Sequence, residues 1–361
     1  MKRILHIIGS MNRAGAETML INLYRVLDKQ EYQFDFLYFT NQKCDYDDEI
    51  EALGGKIYRI ETIGFKNRFL ATYSFLKSNK HFYAIHSHTL LNNGINLFAA
   101  YLTGHKIRIS HSHNTANGSK TFLKTGYYYL SKFLINTFSN GFIACGNEAG
   151  NYLYYKKNQF LFLPNAVNFQ DFNVSNTAFR KTIHLNDDTI LIVQIGRFLE
   201  VKNHFFSIEL SKCLVEQQLD FHLVFVGDGP LKETMRQQVH ANKLDSNITF
   251  LGLRNDIPSI LKAADCMIMP SLHEGFPVVL VEAQVAGIPS LISDTIANEV
   301  DLGVNLVVFE SLEANRENWF KKLKTIKQYK KNDDSYLEVL RNKGFDINSS
   351  LDMLLKYYRN V

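Results

Sequence analysis

Two glutamates that flank a predicted helix start are the residues with the clearest chemical potential. Glu274 and Glu282 are eight residues apart, and the apolar spacing that follows Pro277 predicts a helix. The helix start would leave backbone N–H groups without partners, those of Gly275, Phe276, Val278 and Val279. Anions bind readily at such a start, and carboxylates accept hydrogen bonds from hydroxyls. A ligand with both phosphates and hydroxyls, such as a nucleotide sugar, therefore suits this stretch.

Each carboxylate taken alone also has an ordinary interpretation. Glu274 would be a helix-entry residue that faces water, and Glu282 would be a position on a solvated helix face. The arrangement of the pair around a helix start favours a binding site, but it does not remove the ordinary interpretation.

Arg197 and Lys202 form a second candidate site for an anion. They are five residues apart, between a predicted buried strand at residues 189–195 and a helix predicted from Lys202 to Glu216. Arginine offers a bidentate fork and lysine a compact point charge, so both can face one anion. The alternative is a pair of unrelated surface cations.

Two His-x-His pairs, His86 with His88 and His111 with His113, lie at the ends of predicted strands. Alternation places each pair on one face of its strand. Four histidines could hold zinc, but no cysteine or carboxylate completes the set at matching spacing. We therefore expect structural, hydrogen-bonded side chains at these positions and no metal.

Short apolar runs alternate with helical patterns through most of the chain. This alternation predicts parallel, doubly wound sheets, in which ligands bind at the carboxyl ends of the strands. The first run, Arg3 to Ile8, leads through a glycine-bearing loop to a helix predicted from Glu17 to Asp28. A strand, a glycine-bearing loop and a helix in this order can bind a phosphate, although the loop lacks the G-x-G-x-x-G dinucleotide fingerprint.

Several motifs follow one another in order within residues 1 to about 295. They are Ser10–Glu17, His111–Asn114, Pro164–Val167, Gly196-Arg197 with Lys202-Asn203, Val226–Pro230, Leu251-Gly252 and Glu274–Glu282. In this order they resemble glycosyltransferase family 4, whose members are retaining nucleotide-sugar enzymes of the GT-B fold. The likeness is strongest to the bacterial branch that builds exopolysaccharides and capsules, and it is weak in the last part of the chain.

The resemblance implies an α/β architecture of two Rossmann-like domains, each a doubly wound parallel sheet, that face a central cleft. Residues 1–167 would form the acceptor-side domain, and residues 168–344 the nucleotide-sugar-binding domain. Residues 345–361 would form a C-terminal helix that returns to the first domain.

The resemblance also implies roles for individual side chains. Glu274 would orient the donor sugar, and Glu282 would hold the ribose hydroxyls. Arg197 and Lys202 would clamp the donor diphosphate and stabilise it as the leaving group. His111 would contact the 6-hydroxyl of the sugar or lie near the acceptor.

Other positions carry weaker expectations from the same resemblance. His113 is the alternative to His111, Gly15 would face the donor diphosphate, and Arg254 would lie on the base side. Ala14 and Ala166 stand where the family usually has glycine.

The implied activity is retaining transfer of a hexose from a nucleotide-diphosphate donor, with a UDP-sugar expected, to a glycan or lipid-linked acceptor in surface polysaccharide synthesis. No metal or other cofactor is expected. One alternative is a nucleotide-sugar epimerase of the GT-B fold. Another is a non-catalytic subunit that binds a nucleotide sugar.

Asp45-Tyr46-Asp47 matches the D-x-D pattern of metal-dependent glycosyltransferases. The motif precedes a polar, helix-like run instead of ending a buried strand, and aspartate is common at a helix start. We therefore interpret it as a helix entry.

The charge is distributed unevenly along the chain. Residues 1–170 contain 19 Lys and Arg against 11 Asp and Glu, a net charge of +8, whereas residues 171–361 contain 21 against 25, a net charge of −4. Residues 120–138 combine lysines with aromatic side chains, which suits an interfacial helix on an anionic membrane or an ordinary helix with a buried aromatic face. The basic half favours membrane proximity, and no nucleic-acid motif is present.

Several features predict a cytoplasmic location with peripheral contact to the inner membrane face. No apolar run reaches the roughly 18 residues of a membrane span, and the N-terminus leads directly into a strand-like run. The four cysteines form no C-x-x-C and are expected to be reduced thiols.

Overall fold

The computed structural model describes residues 1–61, 64–113, 122–174, 178–331 and 333–361. These residues form two compact units, of which the first comprises Met1–Val167 with Gly344–Val361 and the second comprises Asn168–Lys343. Gly344 thus belongs with the first unit, whereas the sequence placed it at the end of the second domain.

The first unit is built on a parallel sheet of seven strands. The strands are β1 (Lys2–Ile7), β2 (Tyr32–Tyr38), β3 (Ile57–Arg59), β4 (Ala84–Ser87), β5 (Ile107–Ser112), β6 (Gly141–Ala144) and β7 (Leu161–Phe162). Their order in the sheet is β3-β2-β1-β4-β5-β6-β7, which is the doubly wound arrangement that the sequence predicts. The described helices between them are α1 (Gly15–Val26), α2 (Asp47–Ala52), α3 (Phe65–Ser78), α4 (Asn93–Leu102), α5 (Phe122–Phe138) and α6 (Asn147–Leu153).

The second unit has a parallel sheet of six strands in the order β10-β9-β8-β11-β12-β13. The strands are β8 (Ile190–Ile195), β9 (Phe221–Val226), β10 (Ile248–Gly252), β11 (Cys266–Met269), β12 (Ser290–Ser293) and β13 (Val307–Glu310). The described helices are α7 (Ala178–Thr182), α8 (His204–Glu216), α9 (Lys232–Ala241), α10 (Ile257–Ala263), α11 (Val278–Val285), α12 (Arg316–Thr325) and α13 (Ser335–Asn342). The two sheets confirm the predicted pair of Rossmann-like domains.

The strands at the sheet centres are largely buried because helices cover both faces of a parallel sheet. All four residues of β11 are buried, for example, as are those of β6. Helix α8 begins two residues later than predicted, because Asn203 adopts a left-handed φ of 51° and separates it from a 3-10 turn at Glu200–Lys202.

The last helix, α14 (Ile347–Asn360), packs within the first unit, as predicted. The Tyr358 hydroxyl lies 2.6 Å from Nδ1 of His86, and the Tyr357 hydroxyl accepts a hydrogen bond from the backbone N–H of Phe142 at 2.8 Å. The chain returns through a backbone hydrogen bond of 3.0 Å from the Val167 N–H to the carbonyl of Phe345.

Among the described helices, none combines the length and the apolar character that a membrane-spanning helix needs.

Candidate active site

Lys202 and Glu274 meet in the second unit although 72 residues separate them in the sequence. The ammonium Nζ of Lys202 lies 2.6 Å from Oε1 and 2.8 Å from Oε2 of Glu274, and the Ser271 hydroxyl donates to Oε1 at 2.6 Å. Only 23% of the lysine side chain and 10% of the glutamate side chain are exposed. Both carboxylate oxygens are therefore occupied by hydrogen-bond donors in a largely dry setting.

The two loops that carry this ion pair are tied together. The lysine follows β8 and the glutamate follows β11, which is the neighbouring strand in the sheet. The Leu272 N–H donates to the carbonyl of Val201 at 2.8 Å, and the Asn203 amide donates to the carbonyl of Pro270 at 3.1 Å. These cross-loop bonds fix the separation of the lysine and the glutamate.

Buried polar side chains support the pair from beneath. The amide Nε2 of Gln194 donates to the backbone carbonyl of Lys202 at 2.9 Å, and its Oε1 accepts from the Ser207 hydroxyl at 2.6 Å. The Thr295 hydroxyl donates to the backbone carbonyl of Ser271 at 2.9 Å. Sequence reasoning missed these residues because Ser, Thr and Gln occur throughout the chain, and only their positions near strand ends could have signalled them.

Arg197 lies in the same loop as the lysine but is arranged differently. Its side chain is exposed, and we find no ion pair for it within the described part of the chain. The backbone beside it is fixed by a hydrogen bond of 3.0 Å from the Phe198 N–H to the carbonyl of Asp228. A Cβ atom at Gly229 would lie 2.7 Å from both the backbone N and O of Phe198, so this close approach requires glycine.

Helix α11 begins directly after Pro277, as predicted, and its first turn contains no acidic residue. The backbone N–H groups of Gly275, Val278 and Val279 have no hydrogen-bond partner among the described residues. Phe276 is buried beneath this turn. The start of α11 thus presents free backbone N–H donors, and its first turn carries no negatively charged side chain.

Glu282 lies in the second turn of α11 and is half-buried. Burial raises the pKa of Glu282 to about 7, and the Asp171 carboxylate contributes a smaller increase. This environment differs from the solvated helix face of the ordinary interpretation. Carboxylates with raised pKa values are common at binding and catalytic sites, although structural networks also produce them.

The two positions where alanine replaces an expected glycine have unstrained backbones. Ala14 precedes α1 with an extended φ of −148°, and Gly15 is the exposed first residue of that helix. Ala166 is fully buried and does not belong to the described residues with positive φ.

Arg254, the candidate on the base side, is exposed and donates hydrogen bonds to the Asp256 carboxylate at 2.7 and 2.6 Å. A ligand that contacts this guanidinium would therefore share it with Asp256.

The aspartates of the D-x-D motif have structural partners in the first unit. The Asp47 carboxylate accepts hydrogen bonds from Arg59 at 2.5 Å and from the Cys44 N–H at 2.8 Å, and Asp45 accepts from the Arg13 N–H at 2.9 Å. These contacts agree with the interpretation of the motif as the entry to α2.

The histidine pairs lie at the edge where β4 and β5 end. His111 is fully buried, and neither of its ring nitrogens has a hydrogen-bond partner among the described residues. His113 is half-buried and bonds to His88 at 2.8 Å. Burial lowers the pKa of His113 to about 3 and holds the pKa values of His88 and His111 well below the ordinary range. All three imidazoles are therefore neutral at neutral pH.

The two doubly wound sheets, and the lysine–carboxylate pair at the strand ends of the second unit, are the features expected of a glycosyltransferase of the GT-B class. The chain belongs to the group 1 glycosyl transferases and is a hexosyltransferase. The family model described as "Glycosyl transferases group 1" matches residues 175–329. The chain is also 35% identical over 375 residues to the putative glycosyltransferase EpsF of Bacillus subtilis, which covers 99% of this chain and 96% of that protein.

A second relative and a solved structure extend the comparison. The UDP-Gal:alpha-D-GlcNAc-diphosphoundecaprenol alpha-1,3-galactosyltransferase of Escherichia coli is 26% identical over 312 residues, covering 82% of this chain and 80% of its own. The crystal structure of HepE of Anabaena in complex with UDP-glucose matches with a TM-score of 0.81 over 100% of both chains, at 16% identity. At that identity the structural likeness shows the fold alone.

Proposed function

We propose that the protein transfers a sugar from a UDP-sugar to a glycan or lipid-linked acceptor in surface polysaccharide synthesis, with retention at the anomeric carbon. The observation that carries the proposal is the Lys202–Glu274 pair. It sets a cation and a fixed carboxylate in the unit that also presents the free N–H groups of α11. The UDP-glucose in the HepE structure and the UDP-Gal donor and lipid-linked substrate named for the Escherichia coli relative support the choice of donor and acceptor.

The chemistry requires stabilisation of the leaving diphosphate, which gains negative charge as the glycosidic bond breaks. Arg197, Lys202 and the helix start at Val278 and Val279 would supply it through fixed positive charge and N–H dipoles. Arg197 suits this role because its guanidinium is exposed and would form a bidentate contact when the donor binds.

Glu274 would accept hydrogen bonds from hydroxyls of the donor sugar instead of attacking it. Its oxygens already accept from Lys202 and Ser271, which lowers their nucleophilicity and fixes their direction. A retaining glycosidase pair stands about 5 Å apart at one anomeric carbon, whereas the resemblance places Glu274 and Glu282 at opposite ends of the donor. Retention would then follow from attack by the acceptor on the face that the diphosphate leaves.

The remaining contacts follow from the family resemblance. Glu282 would bind the ribose hydroxyls, and Arg254 would lie near the base. Of the two candidate histidines, His113 is the better contact for the acceptor, because His111 has no exposed surface in the first unit.

A two-stage experiment tests the proposal. Thermal-shift measurements with UDP, GDP, ADP and CMP identify the base, and UDP-sugars are then incubated with a polyprenyl-diphosphate saccharide. We expect a shift with UDP and a product whose anomeric proton coupling in NMR matches that of the donor. A product with inverted configuration would contradict retention. An epimerised donor formed without acceptor would establish the isomerase alternative, and UDP-sugar binding without turnover would establish a binding subunit.

The proposed chemistry needs no metal, because arginine, lysine and backbone dipoles neutralise the diphosphate. Transfer should therefore persist after the protein and substrates are treated with EDTA. Loss of activity that Mn²⁺ or Mg²⁺ restores would contradict this expectation and would reopen the role of Asp45 and Asp47.

We also propose that α5 contacts an anionic membrane from the cytoplasmic side. Among the described side chains of this helix, three apolar ones are exposed: Tyr129 at 65%, Leu130 at 47% and Phe133 at 53%. Residues 120–121 of the predicted aromatic segment lie outside the described residues. The exposed face would insert its aromatic rings at the lipid interface while the basic half of the chain attracts anionic headgroups.

Sedimentation with vesicles tests the membrane contact. The wild-type protein should bind vesicles that contain phosphatidylglycerol more tightly than vesicles of phosphatidylcholine alone, and Phe133→Ser should weaken that binding. Leu253→Ser is the matched control, because Leu253 is 64% exposed in the second unit. Equal losses in both variants, or equal binding to both vesicles, would contradict the proposed surface.

A further inference from the structure

Five histidines from three adjacent strands form one cluster in the first unit. They are His6 on β1, His86 and His88 at the end of β4, and His111 and His113 at the end of β5. Register places His6 directly beside His86. Spacing within the sequence showed two pairs only, whereas the sheet order β1-β4-β5 brings both pairs and His6 together.

Three of these side chains have the geometry of a metal-binding group. One ring nitrogen from each of His88, His111 and His113 lies within 4.8 Å of the others. The ring centroids of His111 and His113 are 3.9 Å apart, and those of His88 and His111 are 5.2 Å apart. Small movements of the three rings would bring the nitrogens to the spacing that a tetrahedral ion requires.

Buried nitrogens without partners point to a ligand at this position. His111 is fully buried, and its Nδ1 and Nε2 both lack hydrogen-bond partners among the described residues, as does Nδ1 of His113. A buried polar atom without a partner destabilises the fold, so native proteins rarely leave such atoms unbound. An ion would bind a nitrogen of His111 that has no hydrogen-bond partner among the described residues, and it would replace the 2.8 Å hydrogen bond between Nδ1 of His88 and Nε2 of His113.

The surrounding residues prepare His88 to be a ligand. Its Nε2 lies 3.0 Å from Nδ1 of His6, so an Nε2–H donor to His6 leaves the lone pair on Nδ1. Orientation of a ligating imidazole through its second nitrogen is a regular feature of metal sites.

We propose that His88, His111 and His113 form a three-histidine site for Zn²⁺ or a similar borderline transition ion. Imidazole is a ligand that suits zinc, copper and nickel, and three protein ligands leave a fourth position for water or an oxyanion. The described residues add no carboxylate to the group, so a bound hydroxide or oxyanion would balance the charge of the ion.

A second group, His6, His86 and His88, meets the same distance condition but suits an ion less well. All three side chains are buried, and Nδ1 of His86 is 2.6 Å from the Tyr358 hydroxyl. The outer group includes the half-buried His113, which gives the ion a path to the site. The inference concerns binding and does not depend on the proposed transfer reaction.

Calorimetric titration of tag-free, EDTA-treated full-length protein with ZnCl₂ tests the site, with Co²⁺ absorption as a report of coordination. We expect one ion per chain and tetrahedral Co²⁺ bands. His113→Asn and His111→Leu should each weaken binding by more than about 100-fold, beyond the range for outer-shell partners. His240→Asn is the matched control, because His240 is exposed in the second unit, and it should bind as the wild type does.

Circular dichroism of the metal-free variants separates loss of a ligand from loss of the fold. The proposal is overturned if folded wild-type protein binds no Zn²⁺, or if His240→Asn weakens binding as much as His113→Asn does, which would mean adventitious surface binding only. Full binding by His113→Asn together with loss in His86→Leu would assign the ion to the inner group and also overturn the proposal. Assays of transfer in EDTA keep this result independent of the catalytic one.

Discussion

Lys202 and Glu274 form an ion pair that joins the loops after two neighbouring strands of one sheet, with Nζ 2.6 and 2.8 Å from the two carboxylate oxygens. The lysine fixes the direction of the carboxylate. The carboxylate keeps the lysine extended over Gly196, where an added Cβ would lie 3.6 Å from Cδ of the lysine. Without its partner, neither side chain would be held in this orientation. The two are therefore expected to act as one unit.

A double-mutant cycle tests this coupling. Lys202→Met and Glu274→Gln should each lower kcat/KM by about 2–4 kcal/mol of transition-state stabilisation, the range for one preorganised donor. The double variant should be little worse than the poorer single variant, because contacting residues are not additive. Lys212→Met with Glu209→Gln is a matched control, an ion pair at 3.2 Å on α8 that should leave kcat/KM unchanged. Additive losses at Lys202 and Glu274 would show that they act separately.

Arg197→Ala should reduce kcat/KM by a similar amount, about 2–4 kcal/mol, because the exposed guanidinium would meet the diphosphate in the transition state. Its thermal stability should stay unchanged, since the side chain makes no ion pair within the described residues. Arg236→Ala is the control, an exposed arginine of the same unit that lies over the Phe250 ring. An unchanged kcat/KM in Arg197→Ala would remove this residue from the proposed clamp.

The strands could be predicted because buried parallel strands are largely apolar runs, and β1 and β8 lie within one residue of their predicted bounds. The ion pair could not, because Lys202 and Glu274 meet only when β8 and β11 lie side by side, a relation that no local pattern encodes. The five-histidine cluster could not be predicted for the same reason. The sequence shows the two H-x-H pairs, but only the order of strands β1, β4 and β5 in the sheet brings them together with His6.

The raised pKa of Glu282 predicts a pH-dependent nucleotide affinity. The free protein holds this carboxyl half-protonated near pH 7, and a ribose hydroxyl donates best to the ionised form. Affinity for UDP should therefore rise with pH through about 7 in calorimetric titrations. Glu282→Gln should bind UDP more weakly and lose that pH dependence, with a smaller effect on kcat. A wild-type affinity that is flat between pH 6 and 8 would contradict the ribose assignment.

The same carboxyl has a predictable effect on folding. Its folded pKa of about 7 exceeds the unfolded value of 4.5, so its stabilising contribution is complete below 4.5 and is lost as the pH rises through 7. Thermal unfolding should thus show Glu282→Gln to be more stable than the wild type at high pH and nearly equal at low pH. A greater advantage of the glutamine variant at low pH would reverse the sign and exclude burial as the cause.

Gly229→Ala should disturb the loop of Arg197 without touching a proposed ligand contact. The glycine has a φ of +156°, and a Cβ would lie 2.7 Å from the backbone N and O of Phe198, so the chain next to Arg197 has to shift. We expect a lower melting temperature and a lower kcat/KM from the displaced guanidinium. Gly126→Ala is the control, because no atom lies within 4 Å of its Cβ position in α5 and alanine favours a helix. A Gly229→Ala variant with wild-type stability and activity would mean that the two loops move independently.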